Sequence, residues 1–444
     1  MSPSLRFECD PVDQPVATDP VEQRTWCALG IRVGQRYASR LWDKSLQQER
    51  RLLYVPAFPI AGWLVQHWWS LFNELCPADE VPQRATATQW NRRWLSRHCL
   101  RSADSSLLLP ALYVFHDGRG LRAEWFKDEA GSLPNMPGEF AEEGCERLDV
   151  RATEDSLAVF INDTLARLDG LDDSRVDQLA RRWRAIQAAD AEETAFCRIA
   201  GRMGIDPYDP QEMTSDLAAF IEQEDFNPDD PLVVDVTEVA DAASIAQQWT
   251  WVVTAREELR LGPGGCQPSP VRLPATAMPH QFGYQLARQV RPLAQLGASE
   301  PLASVPATAE RLLHAPFRIE DRNHLPGRRI QGLVGRSTSG GWVAAGLRRT
   351  RDDNERFRLA RCLYHALATS QVSPRLLTSA VSWDQQASRA FAAELLAPQS
   401  ALAERVDVDT ADVEAVGRLS EEFAVSSIVI QRQLENLGIP LSCE

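Results

Sequence analysis

Cys362, His365 and Asp384 are the residues of this 444-residue sequence whose types and spacing best fit metal chemistry. A thiol and an imidazole three residues apart on a helix can point at one ion, and a nearby carboxylate would complete a Cys/His/Asp site. The alternative is that Cys362 is a small buried residue and His365 a core histidine. Arg361 favours this alternative, because its charge would lie close to any divalent ion. We therefore expect no bound cofactor, and zinc is the ion to test.

Helices must position these side chains. Apolar residues recur at i, i+3, i+4 and i+7 around Cys362, the spacing of a helix with one buried face, and they are Ala360, Leu363, Tyr364 and Leu367. A second helix is predicted over residues 384–398, and it carries Asp384.

Two stretches resemble the ImmA/IrrE family of metallo-endopeptidases. Residues 356–365 read RFRLARCLYH and are similar to the family pattern R-F-x-L-A-H-E-L-G-H, while residues 391–398 read FAAELLAP and are similar to F-A-A-E-L-L-M-P. The resemblance covers about residues 279–438. It implies a zincin-like fold in which two histidines of one helix and a Glu of the next bind zinc, while the Glu of H-E-x-x-H activates water.

When the family motif is placed on these residues, most of its zinc ligands and its general base are missing. Arg361 stands at the first histidine, Cys362 at the general base, and only His365 is preserved. Counting back from the second motif puts the third ligand at Gln385, and a one-residue offset puts it at Asp384. The resemblance thus implies a degenerate site with no catalytic residue, and with Cys362, His365 and Asp384 as weak candidate metal ligands.

The end of the chain is similar to the helix-turn-helix-like tail of many family members. Thr410 is predicted to cap one helix, and Ser426 to cap a second that ends at Gly438. The first helix is predicted to have apolar residues on one side, namely Val413, Val416 and Phe423. The second helix has one cation, Arg432, and an acidic residue nearby, Glu435. Packing on the peptidase-like core is therefore favoured over binding in a DNA groove.

Charge and hydropathy restrict the partners. A net charge of -15 and a pI near 5.1 oppose unspecific attraction to nucleic acid or to an anionic membrane. The N-terminus has no basic start followed by an apolar core, so we expect no signal peptide. The most apolar run, residues 59–76, is interrupted by polar residues and is shorter than a membrane span, so it is predicted to be a buried helix.

Nine cysteines are spread along the chain without a C-x-x-C pair. This spacing indicates reduced thiols, and a cytoplasmic protein, rather than disulfides or a zinc ribbon.

The predicted class is α+β, mostly helical and multidomain. Residues 1–150 are expected to form a Trp-rich mixed α/β domain, residues 151–261 a helical domain, residues 262–279 a Pro/Gly linker, and residues 280–444 the zincin-like domain with its tail. A hairpin is predicted around Asp117-Gly118-Arg119-Gly120, and a second over residues 330–347. The aromatic and aliphatic stripe over residues 60–72 is predicted to be core rather than a ligand platform.

Other possible sites are weaker. Gly335-Arg336-Ser337-Thr338-Ser339 departs from the G-x-S-x-G elbow and lies where a hairpin turn is expected. The remaining histidines are isolated in sequence and are interpreted as structural or surface residues.

These observations favour a cytoplasmic, bacterial-type protein with a catalytically inactive ImmA/IrrE-like domain. Such a domain would be a regulatory or protein-binding module in a transcriptional, stress, or phage or mobile-element response. One alternative is an active zinc metallo-endopeptidase with altered ligands that cleaves a regulator protein. Another is a DNA-binding transcription regulator that acts through its C-terminal helices. A protein or peptide partner is expected, and neither a membrane nor nucleic acid.

Overall fold

Helices and strands both contribute buried residues to the core, which confirms the α+β class. The computed structural model describes residues 2–13, 15–78, 81, 89–129, 137–223, 227–262, 272, 278–321, 325–347, 352–368, 373–406 and 411–441. Packing divides the chain into two compact units, Met1–Met213 and Thr214–Glu444. The sequence predicts one helical domain over residues 151–261. The boundary between the two units falls inside this range, after Met213. Most of the predicted linker, like Thr410 and His324, lies outside the described residues.

Antiparallel pairing builds the described sheets of the first unit. One sheet runs β1-β2-β3 with β6 also paired to β2, a second runs β10-β8-β7, and a third runs β5-β4-β9. The strands are β1 (Leu5–Pro11), β2 (Trp26–Val33), β3 (Arg36–Tyr37), β4 (Leu41–Asp43), β5 (Gln48–Arg50), β6 (Leu53–Pro56), β7 (Ala111–His116), β8 (Leu121–Phe126), β9 (Gly138–Phe140) and β10 (Gly144–Leu148).

Helix α2 forms the centre of this unit. All six large apolar residues of the predicted stripe are buried there, whereas Trp69 is half-buried, so the interpretation of the stripe as core is confirmed. The helices are α1 (Pro20–Thr25), α2 (Phe58–Asn73), α3 (Gln89–His98), α4 (Val150–Arg167), α5 (Ser174–Ala188) and α6 (Ala191–Arg202), with a 3-10 turn at Leu100–Ser102. None of the described helices of either unit is long and apolar enough to cross a bilayer.

The hairpin of β7 and β8 forms where it was predicted. Its strands pair from Ala111 with Phe126 to His116 with Leu121. Gly118 has a φ of 94°, and the Asp117 carboxylate accepts hydrogen bonds from the main-chain N–H groups of Arg119 and Gly120. The aspartate and the glycine therefore set the turn.

A mixed sheet and ten described helices make up the second unit. The sheet order is β11-β13-β12-β14, with β11 parallel to β13 and the other pairs antiparallel. The β12–β13 pair is the predicted hairpin. The elements are α7 (Ser215–Ile221), α8 (Pro231–Thr237), α9 (Ile245–Glu258), α10 (Pro279–Leu293), α11 (Val305–Leu313), β11 (Phe317–Glu320), β12 (Ile330–Arg336), β13 (Trp342–Ala345), α12 (Asp352–Ala368), β14 (Arg375–Thr378), α13 (Trp383–Leu396), α14 (Gln399–Arg405), α15 (Val413–Phe423) and α16 (Ser427–Asn436).

Helix α12 is enclosed on more than the one face that its spacing predicts. The predicted face is buried, but so are Arg361, Cys362 and His365, and every residue from Leu359 to Ala368 is buried. Helix α13 packs beside α12 and also against α10, where Gly283 lets the backbones approach closely. Polar side chains of α12 must therefore find their partners inside the protein.

The two C-terminal helices differ from the prediction in detail. The Asp412 carboxylate caps α15 by accepting a hydrogen bond from Ala415 N at 2.6 Å. Val413 is 66% exposed, whereas Val416 and Phe423 are buried. It lies about 100° around the helix from the buried face, which is formed by Ala415, Val416, Leu419 and Phe423. Ser426 is the first residue before α16, but its side chain makes no capping hydrogen bond.

Candidate functional site

Arg361 lies at the centre of a buried hydrogen-bond network between α12, α13 and the sheet. Its Nε donates to Ser388 Oγ at 3.0 Å, and its Nη1 donates to Gln331 Oε1 at 2.5 Å. Its Nη2 donates to Thr378 O at 3.0 Å and to Gln385 Oε1 at 2.5 Å. The planar guanidinium thus links four acceptors that belong to two strands and a helix.

The network leaves Arg361 without a neutralising charge of its own. Among the described residues, each of its hydrogen-bond partners is uncharged. Burial lowers the pKa of Arg361 to about 9, with Arg389 and Arg358 acting in the same direction. The side chain is still a cation at neutral pH, and it is held by dipoles rather than by a carboxylate.

Gln385 and Ser388 are one helical turn apart on α13, which brings both to Arg361. Gln385 also donates from Nε2 to Leu376 O at 2.8 Å and accepts from Thr378 N at 3.2 Å. The Ser388 hydroxyl donates to Gln385 O at 2.8 Å. The bonds to Leu376 and Thr378 hold the start of α13 to β14, so they fix where the Gln385 amide lies.

Cys362 is fully enclosed, and burial raises the pKa of its thiol to about 12. The thiolate is the form that binds metals and acts as a base. At neutral pH the Cys362 side chain is a protonated thiol that packs as a small apolar group.

His365 lies one turn after Arg361 on α12 and is 2% exposed. Its ring packs edge-on against Tyr364, with centroids 5.1 Å apart. Burial holds the pKa of His365 well below its usual range, and the charges of Arg375 and Arg361 lower it further although Asp384 opposes them. The imidazole is therefore neutral at physiological pH.

Asp384 belongs to a second network, beside the first. Its carboxylate accepts from Tyr364 Oη at 3.4 Å and from Arg375 Nη1 at 3.3 Å. Arg375 also donates from Nε and Nη2 to the two carboxylate oxygens of Asp235, each at 2.9 Å. Burial alone would lower the pKa of Arg375, but the charges of Asp235 and Asp384 raise it above its ordinary value.

The two networks together determine how the predicted residues are placed. Arg361 and Gln385 are in direct contact, whereas the Asp384 carboxylate is turned towards Tyr364 and Arg375. Cys362, His365 and Asp384 do not form a group that could hold a metal ion, and the described parts of the chain contain no other such cluster of His, Cys, Asp and Glu.

Sequence reasoning missed several members of these networks. Asp235 had a detectable signal, because it is the only charged residue within the apolar run of α8 and such a residue needs a buried partner. Ser388 stands three residues after Gln385, which places both on one helix face. Gln331, Tyr364 and Arg375 give no comparable signal, because their contacts depend on how distant segments pack.

A separate buried charge cluster lies in the first unit. Arg97 donates to both carboxylate oxygens of Glu74, at 2.7 and 2.5 Å. His98 contacts Glu74 Oε2 through Nε2 at 2.9 Å and Val114 O through Nδ1 at 2.6 Å. The two ring nitrogens thus face a carboxylate and a main-chain carbonyl. Trp94 stacks on this ring with centroids 4.5 Å apart.

The other candidates have structural positions. Ser337 lies in the turn between β12 and β13, where its hydroxyl contacts that of Ser339 at 3.0 Å. Helix α16 packs on α13 as predicted, since Gln433 Nε2 donates to Glu394 Oε2 at 3.1 Å and to Ala397 O at 3.0 Å. Arg432, the cation considered for DNA, pairs with Glu435 at 2.9 Å.

Neither a scan against protein-family models nor a search of curated proteins finds a match to this chain.

Proposed function

We propose that residues 280–444 form a catalytically inactive ImmA/IrrE-like domain, which makes the protein a regulatory or protein-binding module. In this proposal the zincin-like arrangement of helices is kept while its zinc site is replaced by a hydrogen-bond network. The module would act by binding a protein or peptide in a transcriptional, stress, or phage or mobile-element response.

The contact between Arg361 and Gln385 carries the proposal. The resemblance assigns these positions to the first histidine and to the third ligand of the zinc site, and the two side chains meet at 2.5 Å. Residues that stand in for two ligands of one ion are expected to converge in this way. The direct count to Gln385, rather than the offset to Asp384, is the alignment that this geometry supports.

Charge balance supports the loss of the metal. Arg361 and Arg375 are the cations of the two networks, and Asp235 and Asp384 are the anions, so the site is neutral without an ion. A unit positive charge about 4 Å from the Arg361 guanidinium would be repelled by about 4 kcal/mol at an effective dielectric constant of about 20. A divalent ion there would face about twice that cost.

The general base is lost as well. Cys362 stands where the resemblance expects a glutamate, and its thiol has a pKa of about 12. A protonated, fully buried thiol does not take a proton from water at neutral pH. Loss of hydrolysis with retention of the frame favours a domain that binds a chain without cutting it.

Restoration of the zinc ligands tests this proposal. We expect the triple variant Arg361→His, Cys362→Glu, Gln385→Glu to bind about one equivalent of zinc after dialysis against zinc and removal of loose metal, as measured by elemental analysis. The wild type treated in parallel is expected to retain far less. A control variant with Arg358→His, Cys362→Glu and Gln385→Glu moves the histidine one turn away and should not gain zinc. Circular dichroism checks that each variant is folded.

Two results would overturn the proposal. One is a tightly held equivalent of zinc in the wild type that Cys362→Ala or His365→Ala removes, because this would favour the peptidase with altered ligands. The other is cleavage of a peptide library by the wild type.

For the binding role, we expect peptides selected on the full chain by phage display to remain intact by mass spectrometry. A selection that enriches no sequence would remove the binding role while leaving the inactive site in place.

A further inference from the structure

Cys9 and Cys27 lie next to each other on paired strands of the first unit. In the antiparallel pair of β1 and β2, Cys9 stands opposite Leu29, and Cys27 stands opposite Pro11. The two cysteines are therefore diagonal neighbours on the same face of the sheet. Both residues are free thiols, and each affects the pKa of the other.

Arg167 of α4 holds a positive charge at the Cys9 sulfur. Its Nη1 lies 3.6 Å from Cys9 Sγ, and its Nη2 donates to the Cys9 carbonyl at 3.2 Å. The second bond anchors the guanidinium to the same residue whose sulfur it faces. A thiolate at Cys9 would thus face a cation and have a second thiol beside it, and a nearby cation is what makes cysteines reactive.

The two thiols have unequal surroundings. Cys27 is fully buried, whereas Cys9 is half-buried and so has one side towards solvent. The neighbouring Cys27 thiol and Arg167 lower the pKa of Cys9, although burial and Asp10 oppose them. The Cys9 side chain and burial raise the pKa of Cys27. One thiol is therefore disposed to ionise, while the other keeps its proton.

We propose that Cys9 and Cys27 form a redox-sensitive thiol pair that a peroxide oxidises to a disulfide. The Cys9 thiolate attacks one peroxide oxygen, the O–O bond breaks, and the departing oxygen takes a proton and leaves as water. Cys9 is then a sulfenic acid. Cys27 attacks that sulfur, the S–O bond breaks, the Cys27 proton leaves with the hydroxide as a second water, and the S–S bond forms. A dithiol reductant reverses the change.

The disulfide would alter the sheet and its contact with α4. Diagonal neighbours lie about 7–8 Å apart between Cα atoms, slightly more than the span that a disulfide bridges, so the strands must move together. Oxidation also changes the sulfur that Arg167 faces, because a disulfide sulfur cannot ionise. Oxidation of the pair would therefore change the structure of the β1–β2 pair and of the end of α4.

Cys145 provides the matched control within the chain. It is exposed, and Arg122 Nε lies 3.1 Å from its sulfur, yet its pKa is raised because the sulfur itself is partly enclosed. Accessibility alone would make Cys145 react before Cys9. The proposal requires the opposite order.

The experiment treats the fully reduced, full-length chain with hydrogen peroxide, blocks free thiols at intervals, and maps the peptides by mass spectrometry. We expect Cys9 to react about tenfold faster than Cys145, and a Cys9–Cys27 disulfide to accumulate that dithiothreitol removes. In Cys27→Ser, a sulfenic acid at Cys9 should be trapped by dimedone. In Arg167→Gln, oxidation of Cys9 should slow several-fold.

Alkylation of the untreated wild type as a function of pH gives a second measurement that needs no variant. Cys9 is expected to react with iodoacetamide at a lower pH than Cys145 does. The proposal is overturned if Cys145 is oxidised or alkylated first, or if Cys9 oxidises without forming a bond to Cys27.

Discussion

Arg361 donates a hydrogen bond from Nη2 to the amide oxygen of Gln385 at 2.5 Å, inside the packed helices α12 and α13. The same nitrogen donates to the carbonyl of Thr378 on β14. One cation thus joins two helices and an edge strand through neutral acceptors. The contact is therefore expected to stabilise the folded protein.

Arg361→Lys is expected to lower the free energy of unfolding by about 2–4 kcal/mol, because an ammonium keeps the charge but cannot reach all four acceptors. The loss would be measured by urea unfolding followed by tryptophan fluorescence. Arg358→Lys, one turn earlier on the same helix and only half-buried, should cost much less. Equal losses in the two variants would contradict the role given to the guanidinium.

Asp235→Asn should destabilise the second unit by about 3–5 kcal/mol, since it leaves the buried charge of Arg375 without its bidentate partner. Asp384→Asn should cost about 1 kcal/mol, because this carboxylate is partly exposed and makes one longer bond to Arg375. Thermal unfolding of the two variants side by side gives the ranking. A larger effect at Asp384 would show that the ion pair has been assigned to the wrong aspartate.

Acid should weaken the first unit through Glu74. Burial raises the pKa of this carboxyl, but Arg97 and His98 outweigh burial and hold it below the ordinary value of 4.5. A lowered folded-state pKa gives stability that is present above pH 4.5 and is lost as the pH falls through the folded-state value. The loss is measured as the urea midpoint between pH 7 and pH 3.

Glu74→Gln separates this effect from that of two half-buried histidines. Burial lowers the pKa of His67 to about 3 and of His116 to about 4, so both also cost stability as the pH falls below 6.5. The difference between wild type and Glu74→Gln should be about 3–5 kcal/mol at pH 7 and should shrink below pH 4.5. Glu142→Gln, at an exposed ion pair with Arg36, should change the midpoint little at any pH. A constant difference across the range would exclude Glu74 as the titrating group.

Gly283→Ala is expected to destabilise the second unit by about 2–4 kcal/mol. A Cβ there would lie 2.3 Å from Ala387 O and 2.7 Å from Phe391 N, both backbone atoms of α13. Gly417 is the matched control, because it is also helical but a Cβ would meet none of the described residues within 4 Å. Gly417→Ala should therefore stabilise the protein by up to about 1 kcal/mol. Thermal unfolding that moves both variants in the same direction would contradict the close approach of α10 and α13.

Local signals predicted some of the regular elements described for this chain, whereas most of the strands of the first unit were not predicted. The Asp-Gly turn placed the β7–β8 hairpin, and the apolar spacing placed α2 and α12, because these depend on residues close in sequence. The exposure of Val413 did not follow from the sequence, because its apolar type and spacing resemble those of the buried Val416. The burial of α12 on its polar side was also missed, since its enclosure depends on α13 and the sheet.

The site itself was predictable only in part. The positions Arg361 and Gln385 followed from a motif, but their hydrogen bond depends on how α12 packs against α13. The partners of Arg375 could not be read from sequence, because Asp235 lies 140 residues away. A buried carboxylate in an apolar helix predicts that a partner exists, and only the fold determines which one.

Asp235 has one more effect, on the sheet. Its carboxylate also accepts a hydrogen bond from Leu376 N at 2.8 Å, a main-chain donor of the edge strand β14. Unpaired donors of an edge strand are where a foreign strand adds to a sheet, or where copies of a chain begin to aggregate. An acidic side chain already bound there excludes an incoming strand from that position. Asp235 therefore protects β14 against unwanted β-pairing, and its loss would expose the protein to aggregation as well as to unfolding.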